Sequence, residues 1–277
     1  MWGFNASLYT SLSSLPRFEV ISCILFISFS LSAIRLSIHN TWYKIFNVPF
    51  HIWLAGIGGF YLANVCFVLA LEYAPPENVE LISYLWPILI IFLAPFILKS
   101  QFKASHVFGS MLSFLGIFLL LSNTESIYAQ CQYWKGYLLT IGYLFFWTAY
   151  IISSIKYPKA PNELVGVFCG VGCVISFIFH MFGEEYVPPN QKQIMTMVLL
   201  GLTAQGLAYL FWDYSLKNGH YYLLCILSNF TPLLSIYILI QFGFTAPREN
   251  LFPAVILVCL GALIASTNIQ FWKGKIR

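Results

Sequence analysis

Long apolar runs alternate with short polar connections along the whole chain. Runs of about 20 apolar residues fall at roughly 18–38, 51–72, 77–98, 104–122, 134–154, 163–183, 194–215, 219–241 and 251–271, with a shorter one at 1–15. At 1.5 Å rise per residue, a helix of ~20 residues crosses the ~30 Å hydrocarbon core of a bilayer, so each long run predicts a transmembrane helix. Connections of about 4–12 residues leave no room for a soluble catalytic or nucleic-acid-binding domain.

The pattern also repeats. A shift of 145 residues lays Trp2 on Trp147, Pro16 on Pro161, Gly56 on Gly201, Ser83 on Ser228, Pro87 on Pro232 and Gly116 on Gly261 without a gap. Each copy holds five hydrophobic segments, an odd number, so the second must enter the bilayer upside down relative to the first. The expected architecture is an all-α integral membrane protein of ten helices. They form two inverted five-helix repeats, residues 1–132 and 133–277, around a central cavity. With the repeat as a ruler, residue 1 corresponds to Phe146, well inside the segment that opens the second half, so the first helix is short. Either the reading frame begins upstream or this helix is a partial one. No basic stretch or small-residue cleavage site precedes it, so no signal peptide is expected.

Composition agrees with immersion in lipid: charged residues make up 9% and apolar ones 59%, against about 25% and 45–50% in soluble domains. Orientation follows from the basic residues. If the first segment starts in the cytoplasm, that side holds Arg35, Lys44, Lys99, Lys103, Lys156, Lys159, Lys217, Lys273, Lys275 and Arg277, and the other holds Arg17, Lys135, Lys192 and Arg248. Ten against four predicts that both termini are cytoplasmic. The net charge of +4 is spread over helix ends, so nucleic acid is not a partner. The expected partners are the bilayer and a small molecule, and a monomer is expected. Cys23, Cys66, Cys169, Cys173, Cys225 and Cys259 lie inside the spans and read as small packing residues, not as bridges or metal ligands; no metal or cofactor is expected.

Interrupted hydrophobic helices at matching places in two halves point to a transporter's binding site. Here they are the stretches from Ser83 to Leu89, with Tyr84, Trp86 and Pro87, and from Ser228 to Leu234, with Asn229, Thr231 and Pro232. Each proline falls about ten residues into its run, near the midplane, where a missing N–H frees a carbonyl and permits a kink. Proline is common in membrane helices, but its recurrence at one internal offset beside polar and aromatic residues favours a site. Tyr61 and Asn64 in one half, and Gln205, Tyr209 and Trp212 in the other, make stripes at three- and four-residue spacing. Amides deep in hydrocarbon need partners, which either a neighbouring helix or a wet cavity supplies. Trp2 and Asn5, and Trp147 and Tyr150, add a third matched pair. Together these segments predict a pocket of ring faces and amides, while Leu115-Gly116 and Leu260-Gly261 lie in helices assigned to scaffold. Gly166 and Gly170, and the Gly56, Gly58, Gly59 cluster, read as close-packing positions.

Ionisable residues within the spans are few. Glu80, one turn into its helix, and Asp213, four residues from Lys217, are candidates for proton coupling, with solvated helix-end charges as the alternative. There is no phosphate-binding Gly-Lys-Ser/Thr loop for ATP and no convergent nucleophile, base and orienting acid, so neither a primary pump nor an enzyme is expected.

Ten helices as two inverted fives, with Trp2-Gly3 in the first helix and prolines in the fourth and ninth, resemble the drug/metabolite transporter superfamily of the EamA type. More narrowly, Tyr84-Leu85-Trp86-Pro87 is similar to a motif of that superfamily's aromatic amino acid exporters. The same holds for Tyr209 with Trp212, Asn218-Gly219, and the stretch from Phe230 to Ser235. Ser83 and Asn229 depart from the exporter pattern, within the expected pocket. The resemblance implies a cavity between the halves, alternating access and no cofactor. It implies export of aromatic or other neutral amino acids and similar small amphipathic metabolites. Import of a nucleoside-like or S-adenosylmethionine-like metabolite stays open, as does a non-transporting membrane subunit. The expected substrate-binding residues are Asn64, Tyr84, Trp86, Pro87, Trp147, Gln205, Tyr209, Trp212, Asn229, Thr231 and Pro232.

Overall fold

The computed structural model describes residues 1–86, 88–89, 93, 104–122, 132–218, 230–247 and 249–266. Among them all regular structure is helical. A single 3-10 turn (Trp2–Phe4) opens α1 (Asn5–Ser11). Pro16 breaks the chain, and α2 (Arg17–Ile38) follows. The free N–H groups of Phe18 and Glu19 at its start donate to the Glu184 carboxylate at 3.0 and 3.2 Å, an anion at the positive end of a helix dipole. A short α3 (Trp42–Phe46) leads to α4 (Phe50–Ala55), which runs through a π-helical turn (Gly56–Tyr61) into α5 (Leu62–Tyr73). Helix α6 (Pro76–Ser83) ends in a turn at Tyr84 and Leu85.

Then come α7 (Ala104–Ser122), α8 (Trp134–Lys156) and α9 (Leu164–Gly183). Helix α10 (Gln191–Leu202) starts from a capping box in which the Asn190 and Gln193 side chains each accept from the other's backbone N–H. A second π turn (Thr203–Leu207) joins it to α11 (Ala208–Asn218). The last helices are α12 (Thr231–Gln241) and α13 (Leu251–Ser266).

Among the described residues five segments are long and apolar enough to cross a membrane: Arg17–Ile38, Phe50–Tyr73, Trp134–Lys156, Leu164–Gly183 and Gln191–Ser215. Shorter apolar helices cover Val107–Leu119, Thr231–Gln241 and Leu251–Ala265. Phe26, Phe108, Phe118, Phe145, Phe177 and Phe211 stay exposed on the outside of the bundle, a surface that a bilayer solvates and water does not. The chain is a multi-pass membrane protein.

Helix α2 packs along α9, and α7 along α13; both are pairs that the 145-residue offset equates. In the second pair a Cβ on Gly116 would lie 2.7 Å from the Ala254 carbonyl oxygen, and one on Gly261 would lie 2.5 Å from that of Gly109. The same offset carries the first contact onto the second. Backbones this close admit only hydrogen at those two positions, the device by which helices associate where lipid offers no hydrophobic drive. The close packing expected of Gly166, Gly170, Gly56 and Gly59 is present, against Ser32, Phe29, Phe168 and Tyr150, whereas beside Gly58 the space is open. Cys169 and Cys259 are buried and Cys23, Cys66 and Cys173 half-buried, all as free thiols; Cys131 and Cys225 lie outside the described residues.

One expectation changes here. Pro232 sits in the first turn of α12, not ten residues into a continuous helix, and the chain turns at Phe230 just before it. A proline in a first turn removes an N–H that has no helical partner anyway, so it starts a helix instead of kinking one. Pro87 and Asn229 lie outside the described residues.

Candidate functional site

The two π turns occupy matched places, since the offset carries Gly56–Tyr61 onto residues 201–206 and the second turn is Thr203–Leu207. A π turn inserts one extra residue and disturbs the regular i to i+4 ladder, so its carbonyls are open to other donors. Trp2 Nε1–H donates to the Ala204 carbonyl at 3.0 Å, and Ser28 Oγ–H to the Gln205 carbonyl at 2.7 Å. In the first turn the Phe60 carbonyl accepts from Asn64 Nδ2 at 2.9 Å. These bonds fix α1 and α2 against the second turn and hold Asn64 beside Tyr209, a pair that the offset also equates.

An aromatic cluster forms where these elements meet. The Trp2 ring lies 6.4 Å from Trp147, edge to face, 5.3 Å from Tyr209 and 5.1 Å from Trp212. Trp147 is 5.5 Å from Tyr209 and stacks over Tyr143 at 6.4 Å. Trp86 meets Trp212 at 90° and 6.2 Å. Offset and edge-to-face pairs put ring edges, which are positive, against faces, which are negative, and each adds about 0.5–1.5 kcal/mol beyond burial.

Inside the cluster is a cavity of about 40 Å³ bounded by Trp2, Asn5, Phe67, Glu80, Ser83, Tyr84, Trp86, Tyr143, Trp147 and Tyr209. No residue of α7 or α13 among those described lines it, in keeping with their scaffold role. A volume that size holds one or two waters, against the ~300–1,000 Å³ of pockets that enclose ligands. Among the described residues the rings leave little room for a cargo-sized solute. Glu80 is 2% exposed and Ser235 of α12 lies beside it, so the solvated helix-end reading of this residue is wrong. Glu80 lines the cavity together with Ser83, one turn further along α6.

Asp213 is equally buried but elsewhere. Ser154 Oγ donates to its Oδ1 at 2.7 Å, and it borders a separate cavity of about 30 Å³ with Tyr150, Ser153, Tyr157 and Phe168. It too is no solvated end charge.

The structure therefore brings together Tyr84, Trp86, Trp147, Tyr209 and Glu80 around one cavity, with Asn64 and Trp212 packed just behind it. Thr231 reaches Tyr84 from the start of α12, with Pro232 next to it in the buried first turn. Gln205 does not line the cavity: its Nε2 donates to Tyr9 Oη at 3.2 Å, which makes it an interhelical tie. Tyr61, read as one stripe with Asn64, turns instead to α9, where its hydroxyl bonds Ser176 Oγ at 3.0 Å. Phe67 and Tyr143 were missed. The first is three residues after Asn64 and the second four before Trp147, so extending either stripe by one helical turn finds them.

A family model described as the EamA-like transporter family matches residues 1–122 and 134–267. The chain is 28% identical over 267 residues to a protein of Ancylobacter novellus named aromatic amino acid exporter YddG, covering 96% of this chain and 93% of the relative. It is 24% identical to the Escherichia coli protein of the same name, with 85% and 84% covered. With the Bacillus subtilis transporter YyaM it shares 25% identity over 79% of this chain and 73% of that protein. A crystal structure 28% identical in sequence superposes with a TM-score of 0.74 over 95% of both chains. Helices of membrane-spanning length, an aromatic cavity in their midst and a family match over nearly the full sequence agree: the chain belongs to the EamA-like transporter family.

Proposed function

We propose that this protein is a secondary transporter or facilitator of the bacterial inner membrane that exports aromatic or other neutral amino acids and similar small amphipathic metabolites. Its ten helices form two inverted halves, residues 1–132 and 133–277, with both termini cytoplasmic. Rocking of the halves opens the central cavity to each side in turn.

The observation that carries this reading is the meeting of Trp2 with Trp147, equivalent residues of the two halves, at the wall of a cavity that Trp86, Tyr84 and Tyr209 complete. Ring faces with a few polar atoms suit a flat amphipathic solute. The pairing of α2 with α9 and of α7 with α13, and the family match in two segments, support the repeat. The names of the Ancylobacter and Escherichia relatives support the cargo. The small cavity volume fits an occluded state, which a moving transporter passes through.

A thermal-shift screen on purified protein tests the cargo. A ligand that binds only the folded state at one hundred times its Kd adds about 2.7 kcal/mol, and each kcal/mol raises the melting temperature by about 2–4 °C in a chain of this size. Phenylalanine, tryptophan or tyrosine is expected to give that rise. Stabilisation by nucleosides or S-adenosylmethionine, with silence from every amino acid, would replace the assignment.

A further inference from the structure

The cavity carries more information than its rings. Glu80 places a carboxylate in it that is 2% exposed. Arg17 pairs with Glu72, Arg35 with Glu163 and His180 with Glu184, and no cation among the described residues pairs with Glu80. The groups around it are the phenols of Tyr84 and Tyr143 and the hydroxyl of Ser235. A second acceptor, Asn5 Oδ1, is buried at the same cavity without a hydrogen-bond partner. The Ser83 hydroxyl donates away from the space, to the Glu80 backbone carbonyl at 2.7 Å.

The cavity thus holds a buried carboxylate, an unpartnered amide oxygen, hydroxyls that can donate or accept, and the faces of several rings, with no cation beside them among the described residues. A carboxylate held away from water without a counter-ion is strongly unfavourable and is met by a proton or by a cation. Aromatic rings that enclose a desolvated space attract a cation through their negative faces, as in the cages that bind alkylammonium groups. A carboxylate with no cation beside it among the described residues, an unpartnered amide oxygen and surrounding ring faces are complementary to a positively charged group that donates hydrogen bonds. The Tyr84, Tyr143 and Ser235 hydroxyls, able to donate or accept, do not oppose it.

We propose that the cavity is an ammonium site: Glu80 is the counter-ion of the cargo's amino group, with Asn5 Oδ1 as a further acceptor and the surrounding rings as its cage. The inference deepens the transport reading above and rests on it. It makes the charged amine, not the side chain, the feature that every cargo must share. Aromatic acids that lack it are excluded by repulsion from Glu80, while the same rings receive the apolar part of the cargo.

The test measures equilibrium binding to purified protein in detergent at neutral pH, using phenylalanine, phenethylamine and 3-phenylpropionate. These share one ring and differ in which charges they carry. The expected result is that phenylalanine and phenethylamine bind and 3-phenylpropionate binds at least about tenfold more weakly, a ratio that close charge pairs readily supply. In Glu80→Gln, phenethylamine is expected to weaken by about the same factor while 3-phenylpropionate does not. Equal binding of all three to the wild-type protein overturns the ammonium site, and that comparison needs no variant to fold. So does an unchanged preference for phenethylamine in a Glu80→Gln protein that melts as the wild type does. Failure of the transport reading looks different: no solute in the set, nor any other amino acid, binds or crosses a membrane.

Discussion

Trp86→Ala is expected to cut transport by more than tenfold in reconstituted vesicles. Trp86 is 6% exposed, borders the cavity and braces Trp212 at 90°. A buried tryptophan at the centre of a binding surface is worth about 2 kcal/mol or more to the complex, and 1.4 kcal/mol is already tenfold. Truncation also leaves a hole where the indole was, so Trp212 keeps only Trp2 as a ring partner among the described residues and the walls no longer hold a solute in one pose. Trp86→Phe keeps a ring in place and should retain part of the rate. A subunit that carried no solute would give no signal for either variant to alter, and wild-type rates in Trp86→Ala would move the site away from this cavity.

The largest effect on stability is expected from Gly261→Leu. A Cβ at Gly261 would come within 2.5 Å of both the Gly109 carbonyl oxygen and the Ser113 backbone nitrogen, so relief requires the whole of α7 to move off α13. Overpacking a tight core costs about 1–3 kcal/mol, and this clash is with backbone, which cannot change rotamer. The melting temperature should fall by about 2–4 °C for each kcal/mol lost. Gly58→Ala is the control, because nothing lies within 4 Å of the added methyl. No described residue of α7 or α13 lines the cavity, so Gly261→Leu that remains folded should still bind the ligand that stabilises the wild type. A melting temperature equal to that of the wild type would contradict the close α7 and α13 packing.

Much of this was legible in the sequence. Apolar run length anticipated the five segments of membrane-spanning length found among the described residues, because a helix must satisfy its own backbone in lipid and the bilayer fixes its length. The internal offset singled out Trp2 with Trp147, and helical spacing joined Tyr209 to Trp212; all four rings meet. What pattern alone misplaced has two physical causes. First, a membrane helix is as apolar toward lipid as toward its neighbours, so its inward face leaves little mark on hydropathy. Phe168 is buried while Phe177 and Phe182 on the same helix are exposed, with nothing in their identity to tell them apart. Second, stripes drawn on a regular helix lose their register at the π turns, which no residue type announces. Tyr61 closes one such turn and leaves the stripe for α9, and Gln205 lies in the other and serves α1. The burial of Glu80 and Asp213 depends on the other helices packed around them, which a single run does not encode.

Solute counterflow tests the central claim most directly. Vesicles holding the protein and loaded with unlabelled phenylalanine are diluted into a trace of labelled phenylalanine. The account predicts that label accumulates inside above its external level, that tryptophan and tyrosine compete for entry, and that Trp86→Ala vesicles behave like protein-free ones. Label entering wild-type vesicles no faster than protein-free ones, for these and for neutral aliphatic amino acids alike, would contradict it.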